Sequence, residues 1–574
     1  MTLPNNDEYV NADVLVLGGG LAGCLAAIKA AENGAKVVLF EKAEISRSGN
    51  GSTGLHRIPL IHPDYNYSHS QFAKLNVEAA AGICDEDVSY EFAKDTLDRV
   101  LDLESYGIKV RKNDGSFMFK PAPDISPGNV VIWGPGSTVW HDVKPKLAER
   151  VKKSRGTRVF NRVATIGLLT RSGEIGAPVI GAVGLSTRTG QFIICTAKAV
   201  VLANGGSYRV GRHKDSMYAP TRFIECGCPT NSGDGQFMAY RAGADLINLE
   251  FLELSPSWKD LALWGVGPIS AVGRQVLGSG EPGTVHGTEM SKFLRYKNTC
   301  AYGFDTEGLF YDASLVPGYP EEKGEMLELL WAEENESTSP GYLLWQKERG
   351  EDFRKAPIEF EWHPPYIHNN QAGVHMDLNA GSTLEGLYCA GDVIGGGWRQ
   401  SSGGALVFGA RAGRNAAEYA KATPEPEINK DQVRAEKERI LKATEVNPRG
   451  GYSWIELEDK ARKIVSEYGP PFTSDAKLQR GLFHLDRIKA RYLPKLFARN
   501  PREMLRVSEV QSVFFVAQAH LKCALFRKES RSSLVSILYK RGYPKQDDKD
   551  WLKHTVVRNV AGEMILGTKE VKRL

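Results

Sequence analysis

Gly18, Gly20 and Gly23 stand in the run Gly18-Gly19-Gly20-Leu21-Ala22-Gly23, and Glu41 follows on the same stretch of chain. Glycines at this spacing can bring a backbone against a phosphorylated ligand. Gly18 permits a tight turn, Gly20 lets a pyrophosphate approach, and Gly23 lets a helix pack on a strand. The Glu41 carboxylate is placed to accept from ribose hydroxyls. This chemistry needs a strand, a helix and a second strand to position it. Val14 to Leu17 reads as a buried strand, the alanine-rich stretch beyond the glycines as a helix with its N-terminus on the phosphates, and Lys36 to Phe40 as a second strand. Leu21, Ala22 and Lys42 complete the expected dinucleotide-binding set.

Further along, the Ser-, Gly- and Arg-rich loop after Glu41 offers donors for phosphates and for a ring system, with Ser48, Gly49, Thr53 and Gly54 as candidates. Residues 70–155 read as mainly helical, with a helix from Val143 to Lys153. His141 ahead of it is either a cofactor-facing group or a capping and packing residue. Ala199 to Leu202 reads as a buried strand running into the turn Ala203-Asn204-Gly205-Gly206. Asp234, in Ser232-Gly233-Asp234-Gly235, opens a helix where a carboxylate is favoured. A strand ends in Gly391-Asp392. The run from Gly395 then opens a helix through Gly413 that carries Ser402, Ala405 and Leu406, and its N-terminus suits developing negative charge. Gly278 to Gly283 repeats the GxGxxG spacing, but Pro282 removes a donor and no helix or acid follows, so a second nucleotide site is rejected.

The 574 residues are too many for one core and imply several domains. Hydrophobic content of 42% and charged content of 25% are ordinary for a globular protein. Lys+Arg minus Asp+Glu is 73 − 69 = +4, which does not argue for nucleic acid. The eight cysteines form no CxxC and no cluster-ligand run, so no metal site is expected and a reduced, cytoplasmic setting fits. The N-terminal stretch lacks a basic and apolar leader, and no run is long enough to span a membrane. Val510, Val513, Phe514, Ala517, Leu521 and Leu525 mark an amphipathic helix. The charge cluster Arg527-Lys-Glu-Ser-Arg531 reads as a solvated face.

Several of these segments together resemble the succinate dehydrogenase and fumarate reductase flavoprotein family. They are the dinucleotide unit, Arg47-Ser48-Gly49-Asn50, Ser232-Gly233-Asp234-Gly235, His368-Asn-Asn-Gln-Ala-Gly-Val374 and Gly386 to Leu406. Many respiratory members carry Arg-Ser-His-Thr where this chain has Arg47-Ser48-Gly49-Asn50, the histidine being covalently attached to FAD. Glycine at that place implies FAD held without a covalent bond. The Arg-Ser-Gly form looks more like the α subunit of adenylylsulfate reductase.

The resemblance implies an α/β fold: a two-dinucleotide-binding, Rossmann-like FAD domain with an inserted capping domain and a C-terminal helical domain. The expected divisions are 1–250 and 363–420 for the FAD-binding domain, 251–362 for the capping domain, and 421–574 for the helical domain and its extension. Ala203, Asn204, Gly205 and Gly206 would close over the adenosine half of FAD, Asp234 would lie beside the flavin, and Gly391 and Asp392 would approach its ribityl chain. His368 would clamp a substrate carboxylate or sulfonyl group, Arg399 would be a second anion-binding group, and Arg274 lies near where the proton-donating arginine should fall. A small anionic substrate is implied, either enoate or dicarboxylate-like or a sulfur oxyanion, together with a separate ferredoxin-like iron–sulfur partner in a hetero-oligomer. The α subunit of an adenylylsulfate reductase and a flavin electron-transfer subunit without a substrate site are the alternatives.

Overall fold

The computed structural model describes the chain except residues 1–3, 5, 54, 56, 63–66, 118, 122–129, 134–140, 212–227, 229, 253–255, 259–273, 278–308, 313–345, 353, 357, 363–370, 399–400, 471 and 534–535. It gives the backbone alone for 53, 57, 119–121, 130–133, 256–258, 274–277, 309–312, 358–362 and 537.

The chain opens with β1 (Glu8–Leu17), α1 (Leu21–Glu32) and β2 (Val37–Glu41). Alanine-rich sequence favours the helix, and a single Asn33-Gly34 turn returns the chain to β2. β1 and β2 pair in parallel, Val14 opposite Val37 and Leu17 opposite Phe40. β1 lies inside a seven-stranded sheet, which also takes in Thr157–Asn161 beyond β2 and Phe192–Leu202 on the other side of β1. Strands Val163–Thr170 and Val179–Ser186 join antiparallel at the far edge, and Leu387–Cys389 runs parallel to the end of Phe192–Leu202. The central segments Val14–Leu17, Val37–Phe40 and Ala199–Leu202 are apolar and buried on both faces, as a parallel sheet covered by helices requires.

A four-stranded antiparallel sheet is built from Pro256–Trp258, Ile358–Trp362, Leu309–Asp312 and Arg274–Leu277, and places Arg274 opposite Asp312. Beyond the helix Ser401–Ala422 come the helices Lys430–Glu445, Trp454–Tyr468, Asp475–Arg491 and Pro501–Phe526. The last of these is not amphipathic. Residues on all its sides are buried, because it lies between the other C-terminal helices and the helix Asp234–Ala242.

The chain then returns to the N-terminal half. The hairpin Lys553–Val560 and Glu563–Glu570 extends a sheet with Leu246–Ile247 and Gly373–His375. The solvated-face reading of Arg527 to Arg531 is corrected here: Arg527, Glu529 and Arg531 are fully buried. Arg527 pairs with Glu250 and Glu529, each at 2.7 Å, and Arg531 with Glu529 at 2.7 Å and with Asp548 at 2.8 Å. Sequence alone does not reveal the buried partner Glu250, which makes this cluster a fastening between halves of the chain. Among the described residues no helix is long and apolar enough to cross a membrane.

Candidate functional site

The glycine turn sits where β1, α1 and the strand Phe192–Leu202 end together. Gly18 adopts φ +98°, and a Cβ there would lie 2.5 Å from the Ala203 carbonyl. A Cβ on Gly23 would lie 1.8 Å from the Gly18 carbonyl, so the helix can seat on the turn only with glycine. Gly20 caps α1 with no side-chain hydrogen bond, and the first turn carries no acidic residue. Its N–H groups are therefore left for an anion. A Cβ on Gly20 would meet only the Gly49 Cα, at 3.9 Å, so a lane stays open between the turn and the segment around Gly49.

That segment is tied down by Ser48, whose hydroxyl donates to the Gly19 carbonyl at 2.9 Å. Glu41 is buried, and its two oxygens accept from the Gly19 and Ala43 amides, each at 2.6 Å. The side chains of Leu21 and Ala22 are buried behind the turn. Ala203 and Asn204 flank Gly18, and Gly205 turns against the Asn231 side chain, with Gly206 buried next to it.

A second helix N-terminus opens on the same side. The helix Ser401–Ala422 packs on α1 through Gly409 and Gly413, where a Cβ would lie 2.5 Å from the Ala22 carbonyl and 2.2 Å from the Ala26 carbonyl. The matched order, Ala22 with Gly409 and Ala26 with Gly413, makes the two helices parallel. Along their common N-to-C direction Ser401 starts about 10 Å before the start of α1. Ala405 and Leu406 are buried in its first turns and Ser402 is half-buried. Gly391 abuts Ala22, a Cβ there lying 3.0 Å from the Ala22 Cβ.

Asp392 accepts from Asn50 Nδ2 at 2.8 Å and from the Tyr208 hydroxyl at 3.4 Å, while Asn50 Oδ1 accepts from the Cys228 amide at 2.7 Å. Asn50 and Tyr208 were not among the sequence-predicted site residues. The available signal was the place of Asn50, directly after Gly49. These contacts join three separated stretches, 48–50, 204–208 and 391–392.

Lys42 and Asp234 are paired with each other at 2.8 Å. Lys42 also meets Glu509 at 2.9 Å and the Thr230 carbonyl at 2.5 Å, and Glu509 receives Arg209 at 2.7 Å and Arg506. Burial works against the charge on Lys42, but Asp234 and Glu509 outweigh it and raise its pKa well above the ordinary lysine value. Burial likewise opposes ionisation of Glu509, and Lys42, Arg209 and Arg506 hold it far below the usual carboxylate range. The network fastens the helix Pro501–Phe526 to the flank of the dinucleotide turn.

Of the remaining candidates, His368, Arg399 and Gly54 lie outside the described residues, and the side chains of Arg274 and Thr53 do too. His141 is exposed. Three buried polar groups close to the turn have unmet hydrogen-bonding atoms: Asn204 Oδ1, Ser207 Oγ and both amide atoms of Gln236. Buried polar atoms are rarely left unpaired. With the uncapped helix end and the open lane at Gly20, they fit a bound dinucleotide. Among the described residues no group of side chains could hold a metal ion.

Two family descriptions match the chain: FAD binding domain over residues 13–259, and fumarate reductase flavoprotein C-term over 458–573. The chain thus carries the FAD-binding domain and the C-terminal region of fumarate reductase flavoproteins, and among its relatives are proteins named as fumarate reductase and succinate dehydrogenase flavoprotein subunits. It is an FAD-dependent oxidoreductase. One of the subunits of the fumarate reductase (CoM/CoB) of Methanothermobacter marburgensis is 25% identical over 92% of this chain and 94% of its own length. A fumarate reductase flavoprotein subunit from Mycobacterium tuberculosis is 24% identical over 95% and 94%. The fold is shared with adenylylsulfate reductase from Archaeoglobus fulgidus, at TM-score 0.82 and 24% identity over 100% of this chain and 99% of that one. It is shared also with the E. coli quinol fumarate reductase flavoprotein, at TM-score 0.78 and 21% identity over 99% and 98%.

Proposed function

We propose that this protein is the catalytic flavoprotein subunit of an enzyme that exchanges electrons between a small anionic substrate and a separate iron–sulfur protein. The single observation that carries the reading is the parallel seating of two helices through Gly409 and Gly413, which opens two N-termini on one side of the fold. One suits a pyrophosphate and the other a ring on which negative charge develops. FAD, when bound, supplies transfer of electrons in pairs or singly. Gly20, Leu21, Ala22 and Gly23 hold the pyrophosphate, Glu41 orients the adenosine end, and Ser48 and Gly49 line the open lane. Gly391, Asp392, Ser402, Ala405 and Leu406 orient the ring end. With Gly49 at the attachment position the cofactor is held without a covalent bond.

In this reading His368 binds one anionic group of the substrate, Arg399 binds another, and Arg274 delivers a proton. Reductases of fumarate among the relatives support an enoate or dicarboxylate-like substrate. The fold shared with adenylylsulfate reductase supports a sulfur oxyanion as the second reading. Several relatives are named as subunits, which supports a partner protein. Anaerobic reduction of the bound flavin, followed by addition of fumarate, other enoates, adenylylsulfate or sulfite, tests the assignment by reoxidation. Reoxidation by one class and its loss in His368→Ala, with flavin retained, is the expected result. Unchanged turnover in His368→Ala would mean an electron carrier without this substrate site.

A further inference from the structure

Lys144, on the helix Val143–Lys153, is completely buried. Its ammonium donates to the Ile45 carbonyl and lies 3.4 Å from the Cys24 sulfur, and among the described residues it pairs with no carboxylate. Both partners belong to the wall behind the dinucleotide turn. Cys24 lies at the start of α1 and its thiol donates to the Gly19 carbonyl at 3.4 Å. The Ile45 side chain would stand 2.9 Å from a Cβ on Gly19. Burial pushes the Cys24 thiol up from its ordinary value against the pull of Lys144, so the sulfur is a neutral neighbour and not a counter-ion. Glu41, the buried carboxylate of the same wall, has its oxygens on the Gly19 and Ala43 amides. Glu44 is engaged by Lys152 at 3.2 Å and by Ser46. An ammonium removed from water without a counter-charge is costly. In the proposed function the pyrophosphate takes the open side of Gly20, across the turn from Lys144.

We propose that Lys144 is the buried counter-charge of the FAD pyrophosphate, acting through the thickness of the glycine turn and not by a direct hydrogen bond. It adds to the favourable field of the α1 N-terminus, and it holds the Ile45 carbonyl so that Ser48 and Gly49 stay over the lane.

Flavin-free protein titrated with FAD, ADP and adenosine tests this, comparing the wild type with Lys144→Met and Lys144→Arg. Lys144→Met is expected to weaken FAD and ADP by about ten-fold or more and to leave adenosine within about two-fold, because only the first two carry the pyrophosphate. Lys144→Arg keeps most of the affinity. Unchanged ADP affinity in Lys144→Met overturns the proposal, and so does an equal loss on adenosine, which would mark a packing role alone. Should Lys144→Met fail to fold without flavin, Lys144→Arg is compared with Lys144→Gln on the same ligands. Arginine binding ADP more tightly than glutamine supports the proposal, and any other order overturns it. A wild type that takes up no FAD would instead refute the flavoprotein assignment on which this inference rests.

Discussion

Gly18, Gly20 and Gly23 were legible in the sequence because their roles are local: each answers to a neighbour a few residues away or to the next strand. The turn they form is the one that Gly18's φ of +98° and the Gly23 approach to the Gly18 carbonyl require. Asn50 and Tyr208 were harder to read, because their hydrogen bonds, to each other and to Asp392, join residues far apart in the chain. His368→Ala lowers steady-state turnover by about 10²-fold or more while the flavin content stays at the wild-type level. Absorbance of the purified variant and its turnover on the preferred substrate check both halves. A second residue prediction concerns the tether between Asn50 and Asp392. Asn50→Leu leaves Asp392 short of a donor and the Cys228 amide short of an acceptor, and lowers stability by about 1–3 kcal/mol in urea unfolding.

Among the elements, the pairing of α1 with the helix Ser401–Ala422 positions everything else. The sequence signalled a helix through Gly413, but not that Gly409 and Gly413 press against the Ala22 and Ala26 carbonyls, since a small residue in a helix has many uses. Gly413→Ala places a Cβ 2.2 Å from the Ala26 carbonyl, so the helices must separate. The expected result is a loss of about 1–3 kcal/mol, with weaker flavin binding, measured by thermal unfolding with and without FAD. The buried charges at 527–531 are the counterpart at the other end of the molecule. Charged residues in sequence carry a prior for the surface, and only the return of the chain to Glu250 overrides it. Glu529→Gln leaves Arg531 without a buried partner charge and Arg527 with Glu250 alone, and costs about 3–5 kcal/mol by denaturant unfolding.

For the whole molecule, the α/β class, the FAD-binding fold and the family resemblance were all legible, because they rest on repeated local patterns. The substrate side was less so, since the proposed substrate residues Arg274, His368 and Arg399 stand in stretches with little periodicity. Stability should fall as pH is lowered, in two windows. Burial holds His520 near a pKa of about 4, with its Nδ1 at 2.9 Å from the Leu249 carbonyl. The unfolded chain takes up that proton first, so stability drops as pH falls from about 6.5 to about 4. Below about 4 a second loss begins. Burial opposes ionisation of Asp85 and Glu509, yet His375 and His554 around one and Lys42 and Arg209 around the other hold both well below their ordinary values. The stability they confer is present above the unfolded carboxylate range and is lost as they are forced to protonate. Unfolding curves between pH 3 and pH 8 should show both windows, and His520→Gln should flatten the upper one.

The central claim is a fold that grips FAD noncovalently through Gly20 and its neighbours, with Gly49 where a covalent tether would be. Denaturing the purified flavin-loaded protein in acid and separating pellet from supernatant tests it most directly. The account predicts about one FAD per chain, all of it released to the supernatant. Flavin retained on the precipitated polypeptide, or a protein that never acquires flavin, would contradict it.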